Sequence, residues 1–184
     1  MPKVRVFAFA GSLRKGSLHK KLIEASKGLA PEGMEINAYD LKDIPPYNMD
    51  LEDAMPSAVA DFKKRIAESD GVLMAVPEHN FSFSGVMKNA IDWASRPYGE
   101  SAFDGKPVIL QSVSPGRMGG SRAQYHLRQV LGALSMIQMQ FPEVFIGPAG
   151  DVFDESGALT DERASEQIRK QLAAFKEFIA GRGD

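Results

Sequence analysis

Two stretches of the chain combine residue types that could bind a charged, flat ligand. The first is Gly11-Ser12-Leu13-Arg14-Lys15-Gly16-Ser17. Its glycines suit a tight turn, the hydroxyls of Ser12 and Ser17 and the cation of Arg14 suit an anion, and a helix N-terminus follows. These features make a candidate phosphate cradle, although the same residues also fit a serine-capped turn with solvated charges. The spacing approaches the P-loop of nucleotide hydrolases but lacks the lysine before the serine, and no aspartate follows Val76 to hold magnesium. The second stretch is Pro77-Glu78-His79-Asn80-Phe81-Ser82-Phe83. It joins ring faces to hydrogen-bonding groups, the pairing a flat heteroaromatic ligand requires. Alternatively, its two phenylalanines plug the core.

Both stretches depend on the elements around them. Val4 to Ala10 is a nearly continuous apolar run ending at Gly11, the pattern of a strand covered on both faces. From Leu18, apolar residues recur at Leu22, Ile23, Ala25 and Leu29 with Ser17 placed as N-cap, which predicts a helix ending near Gly28 and Pro31. Met34 to Leu41 predicts a second strand, and Ile44-Pro45-Pro46-Tyr47-Asn48 an irregular connection. Pro56 and Ser57 open a second helix with Val59, Phe62 and Ile66 on one face, and Gly71 to Val76 reads as a central third strand. An amphipathic helix follows the second stretch. Lys106 to Val113 predicts a fourth strand leading into a Gly-rich turn from Ser114 to Ser121, then a helix to Met136. Gln138 to Ile146 predicts a fifth strand, at an edge because Pro142 interrupts it. Thr160, with Asp161 and Glu162 behind it, is placed to cap a last helix with Ala164, Ile168, Leu172, Phe175 and Ile179 as its core stripe and Gly181 at its end.

This alternation predicts an α/β doubly wound, flavodoxin-like domain over residues 1–184, with a five-stranded parallel sheet in order 2-1-3-4-5 and helices on both faces. In that order both ligand-binding stretches flank one crevice at the carboxyl ends of the strands.

Composition narrows the chemistry. Twenty-two basic against 24 acidic side chains leave a net charge of −2, which offers no footprint for nucleic acid. The absence of cysteine removes disulfides, thiolate nucleophiles, iron–sulfur ligation and cysteine zinc sites, so redox activity would need a bound cofactor. His19, His79 and His126 are dispersed without acidic ligands at metal spacing, so no metal is expected. No Gly-x-Ser-x-Gly elbow supports a serine hydrolase. The run from Met1 to Ala10 is strand-like rather than a signal segment, and no stretch approaches eighteen uncharged apolar residues. A soluble cytoplasmic protein without a membrane partner is expected.

Ser12 to Ser17, the Pro-Glu-x-Asn-x-Ser run at 77 to 82, and Gly85 followed by Lys88-Asn89-Ala90-Ile91-Asp92-Trp93 and Ser95-Arg96 closely resemble the NADPH-dependent FMN reductase family. Through Gly119-Gly120, Gln124 to Gln129 and Pro142-Glu143 the chain is similar to the bacterial quinone and chromate reductase branch. The resemblance implies FMN reduced by NADPH or NADH and reoxidised by quinones or similar acceptors, with chromate, azo compounds and free flavin possible. It implies that Ser12, Arg14 and Ser17, with Leu18 and His19 beside them, hold the FMN phosphate. Pro77, Glu78, His79, Asn80, Phe81 and Ser82 would line the isoalloxazine, and Ser114, Gly116, Gly119 and Gly120 would form a second wall. All are binders; no catalytic side chain is expected, because the flavin carries the hard chemistry. Arg14, Arg117 and Arg122 are candidates for an NADPH 2′-phosphate contact.

Four positions depart from the family pattern: His19 where asparagine is usual, His79 where tyrosine is usual, Phe81 where tyrosine is frequent, and Ser84 where proline is usual. An imidazole at 79 can titrate near neutral pH, so acceptor reduction is expected to depend on pH through His79. The alternative functions are a non-enzymatic FMN electron carrier of flavodoxin type and a nucleotide-binding regulatory module. Val86, Met87, Ala90, Ile91, Trp93 and Ala94 span an arc of about 160°, wider than a one-sided surface helix needs, so a partner is expected to cover part of it. In the next helix Ala123, Leu127, Val130, Leu131 and Leu134 form the core stripe. Arg122, Tyr125, Gln129, Gly132 and Met136 fall opposite, and with the family resemblance they point to a homodimer or homotetramer.

Overall fold

A computed structural model of the chain describes residues 3–150 and 152–182. Met1 and Pro2, at the head of the first apolar run, and Asp151, Gly183 and Asp184 lie outside the described residues. The order is β1 (Val4–Ala10), α1 (Leu18–Gly28), β2 (Met34–Tyr39), α2 (Ser57–Ala67), β3 (Gly71–Ala75), β4 (Glu78–His79), β5 (Ser82–Phe83), α3 (Gly85–Ala94), β6 (Pro107–Val113), α4 (Ser121–Ala133), β7 (Ile137–Gln138), β8 (Val144–Ile146) and α5 (Glu162–Ala180). Short 3₁₀ turns at Leu41–Asp43 and Met49–Leu51 lie between β2 and α2.

The main sheet is parallel, in the order β2-β1-β3-β6-β7, with β8 also paired to β6. The expected fifth strand is therefore two short strands rather than one, both paired with β6. Pro142, which has no N–H to give to a ladder, lies between them.

Side chains on successive strand residues point to opposite faces, and the core divides accordingly. Val6, Ala8 and Ala10 of β1 join Leu73 and Ala75 of β3 and Ile109 and Val113 of β6 beneath α1 and α5. Phe7, Phe9, Val72, Met74, Val108 and Leu110 pack on the other face with side chains of α2, α3 and α4. A buried polar chain crosses the first layer: Ser26 Oγ donates to Gln111 Oε1 at 2.8 Å, and Gln111 Nε2 donates to Gln171 Oε1 at 3.1 Å. Gln171 Nε2 donates in turn to the Leu110 and Pro142 carbonyls. Among the described residues no helix is long and apolar enough to cross a membrane.

Three expectations need correction. The cap of α5 is Asp161, which accepts from Ala164 N–H at 2.6 Å, rather than Thr160. Helix α4 stops at Ala133, so Met136 is not on its outer face but buried in the core. The broad apolar arc of α3 is covered largely by the chain itself: Met87, Ala90, Ile91 and Ala94 are buried in the core, Trp93 is buried beneath the Pro-rich connection, and Val86 is half-buried. The Pro45 carbonyl accepts from both Trp93 Nε1 and Asn89 Nδ2 at 2.8 Å, Tyr47 N–H donates to Asn89 Oδ1 at 2.7 Å, and the Tyr47 ring meets Trp93 edge-on.

Candidate functional site

Because β1, β3 and β6 are parallel neighbours, their carboxyl ends deliver residues 11–17, 77–84 and 114–120 to the same edge of the sheet. The first two segments are fastened together at Gly11. Its N–H donates to the Ala75 carbonyl at 3.1 Å. Its carbonyl accepts from Ser84 Oγ at 2.6 Å, and that hydroxyl accepts from Met87 N–H at 3.1 Å as the N-cap of α3. A Cβ on residue 11 would lie 2.7 Å from Ser84 Oγ and 2.9 Å from Met87 Cβ, so the approach requires glycine.

In the first segment Ser17 is buried and caps α1, accepting from Lys20 N–H at 3.3 Å. Ser12 and Leu18 are half-buried, Arg14 and Lys15 are exposed, and the space around the Gly16 Cα is open. His19 differs from its neighbours. It is only 8% exposed, and its Nε2 is buried without a partner. Burial pushes its pKa from 6.5 down to about 4; hydrogen bonding to the Val76 backbone opposes that shift and His79 adds to it. A neutral ring with an unpaired nitrogen therefore stands beside the cradle at pH 7.

The second segment is a hairpin rather than an open loop, β4 pairing antiparallel with β5. Asn80 and Phe81 have φ of 50° and 64°, the two positive values that a type I′ turn demands. Asparagine tolerates this conformation; phenylalanine is strained in it, and such strain clusters at ligand sites. Phe81 is 69% exposed, and the Arg122 guanidinium of α4 lies 3.9 Å from its ring centroid. Arg122 also pairs with Glu78, whose Oε2 is buried without a partner. Ser82 Oγ and His126 Nδ1 are 2.8 Å apart, and the His126 ring meets Phe83 edge-on. Helix α4 thus props the hairpin. Pro77 is buried, while His79 and Asn80 are exposed.

In the third segment Ser114 Oγ accepts from Gly116 N–H at 3.0 Å, and Gly116 is exposed. Gly119 is buried with φ of 57°, and a Cβ there would lie 2.8 Å from the Phe145 carbonyl carbon. Packing against β8 accounts for that glycine. Gly120, with φ of 84°, is held similarly against Ser112.

Sequence reasoning gave Ser84 no role and missed the Arg122 and His126 supports. Ser84 carried a usable signal, a hydroxyl immediately before a helix. Arg122 carried none, because its partners are more than forty positions away. Its guanidinium is engaged with Glu78 and Phe81, whereas Arg14 and Arg117 are exposed.

The arrangement fits a ligand with a phosphate at one end and a flat ring at the other: a serine-lined, cationic turn opening a helix, an orphaned imidazole nitrogen, and a hairpin carrying an exposed ring. A family model described as NADPH-dependent FMN reductase matches residues 4–151. The chain belongs to the NADPH-dependent FMN reductase family. Similar members include an NAD(P)H-dependent FMN reductase of Pseudomonas aeruginosa, 44% identical over 96% of this chain and 95% of that one. A quinone reductase of Escherichia coli (strain K12) is 40% identical over 96% of each chain. Among solved structures, a flavoenzyme NAD(P)H:(acceptor) oxidoreductase from Paracoccus denitrificans superposes with a TM-score of 0.89 and 37% identity, covering 97% of this chain and 98% of that one.

Proposed function

We propose that this FMN reductase family member is an NAD(P)H-dependent oxidoreductase passing two electrons from NADPH or NADH through FMN to quinones or similar acceptors, with chromate, azo compounds and free flavin in the same class. The observation that carries the reading is the joint at Gly11, where the Ser84 hydroxyl holds the phosphate-type turn against the ring-type hairpin so that one ligand can span both. The quinone reductase names of the relatives from Pseudomonas putida and Escherichia coli support the acceptor class.

When bound, FMN supplies the two-electron chemistry; the chain's residues bind and orient. Ser12, Arg14, Ser17 and the first N–H groups of α1 hold the phosphate, with Leu18 and His19 at its inner side. Pro77, Glu78, His79, Asn80, Phe81 and Ser82 line the ring, and Arg122 keeps the hairpin in place through Glu78 and Phe81. Ser114, Gly116 and Gly119 form the second wall. No side chain needs to move a proton.

The finer architecture belongs to the same proposal. Taken as one interrupted strand, β7 and β8 give the flavodoxin-like order 2-1-3-4-5 in a single domain. The protein works in the cytoplasm as a homodimer or homotetramer, and the 52% exposure of Tyr125 on the outer face of α4 supports an interface there.

The test is an absorbance spectrum of the purified protein followed anaerobically through addition of NADPH and then a quinone. Bleaching and recovery of the flavin bands are expected. Bands that neither NADPH nor NADH bleaches would overturn the enzyme and leave the electron carrier.

A further inference from the structure

Two polar side chains beneath the third segment are wholly buried: Ser112 of β6 and Gln124 of α4, each 0% exposed. Gln124 Nε2 donates to Ser112 Oγ at 2.7 Å and to the Val144 carbonyl at 2.9 Å. Because a carbonyl only accepts, the Val144 contact fixes which end of the amide faces β8 and Ser112. The Ser112 hydroxyl, with a lone pair taken by Gln124, gives its own proton to the Gly119 carbonyl at 2.5 Å. Gln124 Oε1 is left buried without a partner. An apolar side chain of similar size would avoid that cost, so the worth of the amide lies in its two donors.

This relay ends on one peptide group. With the Gly119 carbonyl drawn to Ser112, the planarity of the trans peptide turns the Gly120 N–H the opposite way, away from β6. Gly120 lies where the second and third segments meet: a Cβ on it would stand 2.8 Å from Ser112 Cβ and 3.6 Å from the carbonyl oxygen of Val76, the residue before Pro77. The N–H groups of Gly116, Gly119 and Ser121 all have acceptors, respectively Ser114 Oγ and the Gly116 and Met118 carbonyls. The Gly120 N–H has none among the described residues, although Gly120 is buried. A buried main-chain donor without an acceptor is rare. As the residue before α4, Gly120 also stands at the positive end of that helix.

Resting on the proposed FMN site, we propose that Ser112 and Gln124 are positioning residues for the cofactor, holding the Gly120 N–H towards the edge of the flavin ring that gains negative charge on reduction. A hydrogen bond to that edge strengthens as the charge appears, so the pair favours reduced over oxidised FMN. Neither side chain touches the ligand. Ser112 anchors the 119–120 peptide, and Gln124 holds the Ser112 hydroxyl in the orientation that makes the anchor.

Ser112→Ala removes the anchor, and Gln124→Leu removes its support with an apolar side chain of similar size. The full-length proteins are loaded with FMN; flavin fluorescence gives the affinity for oxidised FMN, and equilibration with reference dyes gives the midpoint potential of the bound flavin. In Ser112→Ala, reduced FMN should lose about tenfold in affinity relative to oxidised FMN, which is a potential lower by about 30 mV for a two-electron couple. Gln124→Leu should shift it in the same direction by less. Gln171→Leu, which removes a comparable buried amide from the opposite layer, should leave the potential unmoved. A merely structural role would weaken both redox states equally. An unchanged potential in Ser112→Ala, or in Gln124→Leu should the first variant not fold, overturns the proposal while leaving the FMN site standing, as does an equal shift in Gln171→Leu. A wild-type chain that binds no FMN overturns the site itself, and this inference with it.

Discussion

Replacing Ser84 by alanine breaks both bonds made by one buried hydroxyl. The N-cap of α3 is lost, which costs about 1 kcal/mol. The buried Gly11 carbonyl loses its donor, which costs about 1–3 kcal/mol. Because one oxygen serves both roles the terms overlap, and about 2–3 kcal/mol in total is expected. For a chain of 184 residues this corresponds to a melting temperature lower by about 4–12 °C. Proline should do less harm. The residue has φ of −67°, close to the value a pyrrolidine ring imposes, so Ser84→Pro loses the same bonds but recovers roughly 0.4–1 kcal/mol by restricting the unfolded chain. Thermal unfolding of the flavin-free proteins, followed by circular dichroism, should rank wild type above Ser84→Pro above Ser84→Ala. A Ser84→Ala melting point within 1 °C of wild type, or a proline variant less stable than the alanine variant, would refute the account of this joint.

Gly11→Ala should destabilise by about 1–3 kcal/mol, because the new Cβ meets Ser84 and Met87 below 3.0 Å; chemical denaturation checks it, and an unchanged midpoint would count against the close approach. His19 has a folded pKa below its unfolded value, so its contribution to stability is complete above about pH 6.5 and lost as pH falls towards 4. The gap corresponds to about 3 kcal/mol, and His19→Asn should flatten that limb of the stability profile in the flavin-free chain. Arg122→Ala should weaken FMN binding about fivefold through loss of roughly 1 kcal/mol of cation–π contact, measured by flavin fluorescence; an unchanged affinity removes Arg122 from the support of the hairpin.

The strand–turn–helix alternation was legible because two-sided apolar runs and 3.6-residue spacing report burial directly. Ser17 as the cap of α1 and the stripe through Ile168, Leu172 and Phe175 could be read that way. What escaped depends on partners distant in sequence. The breadth of the α3 face signals that something covers it but not what; most of it lies in the core, and over Trp93 the cover is the segment carrying Pro45 and Tyr47. The hairpin turn at Asn80-Phe81 carries no glycine to announce its two positive φ values. Gly119 needs its missing side chain because the backbone of β8 passes against it, a contact that nothing local in the sequence announces. Met136 follows the apolar rhythm of α4 beyond the end of the helix, where rhythm no longer reports direction.

The strap across α3 bears on how this protein could be re-engineered. The Pro45 carbonyl accepts two bonds from α3, and Tyr47 adds a third between the same segments. Each of these bonds joins a side chain of Asn89 or Trp93 to a main-chain group of residue 45 or 47, so a library intended to change acceptor preference should keep Asn89 and Trp93. Diversity is better placed at Met118, whose large side chain stands 55% exposed on the third segment at the crevice edge and is not among the buried core residues, than at Phe81, whose ring holds the hairpin against Arg122.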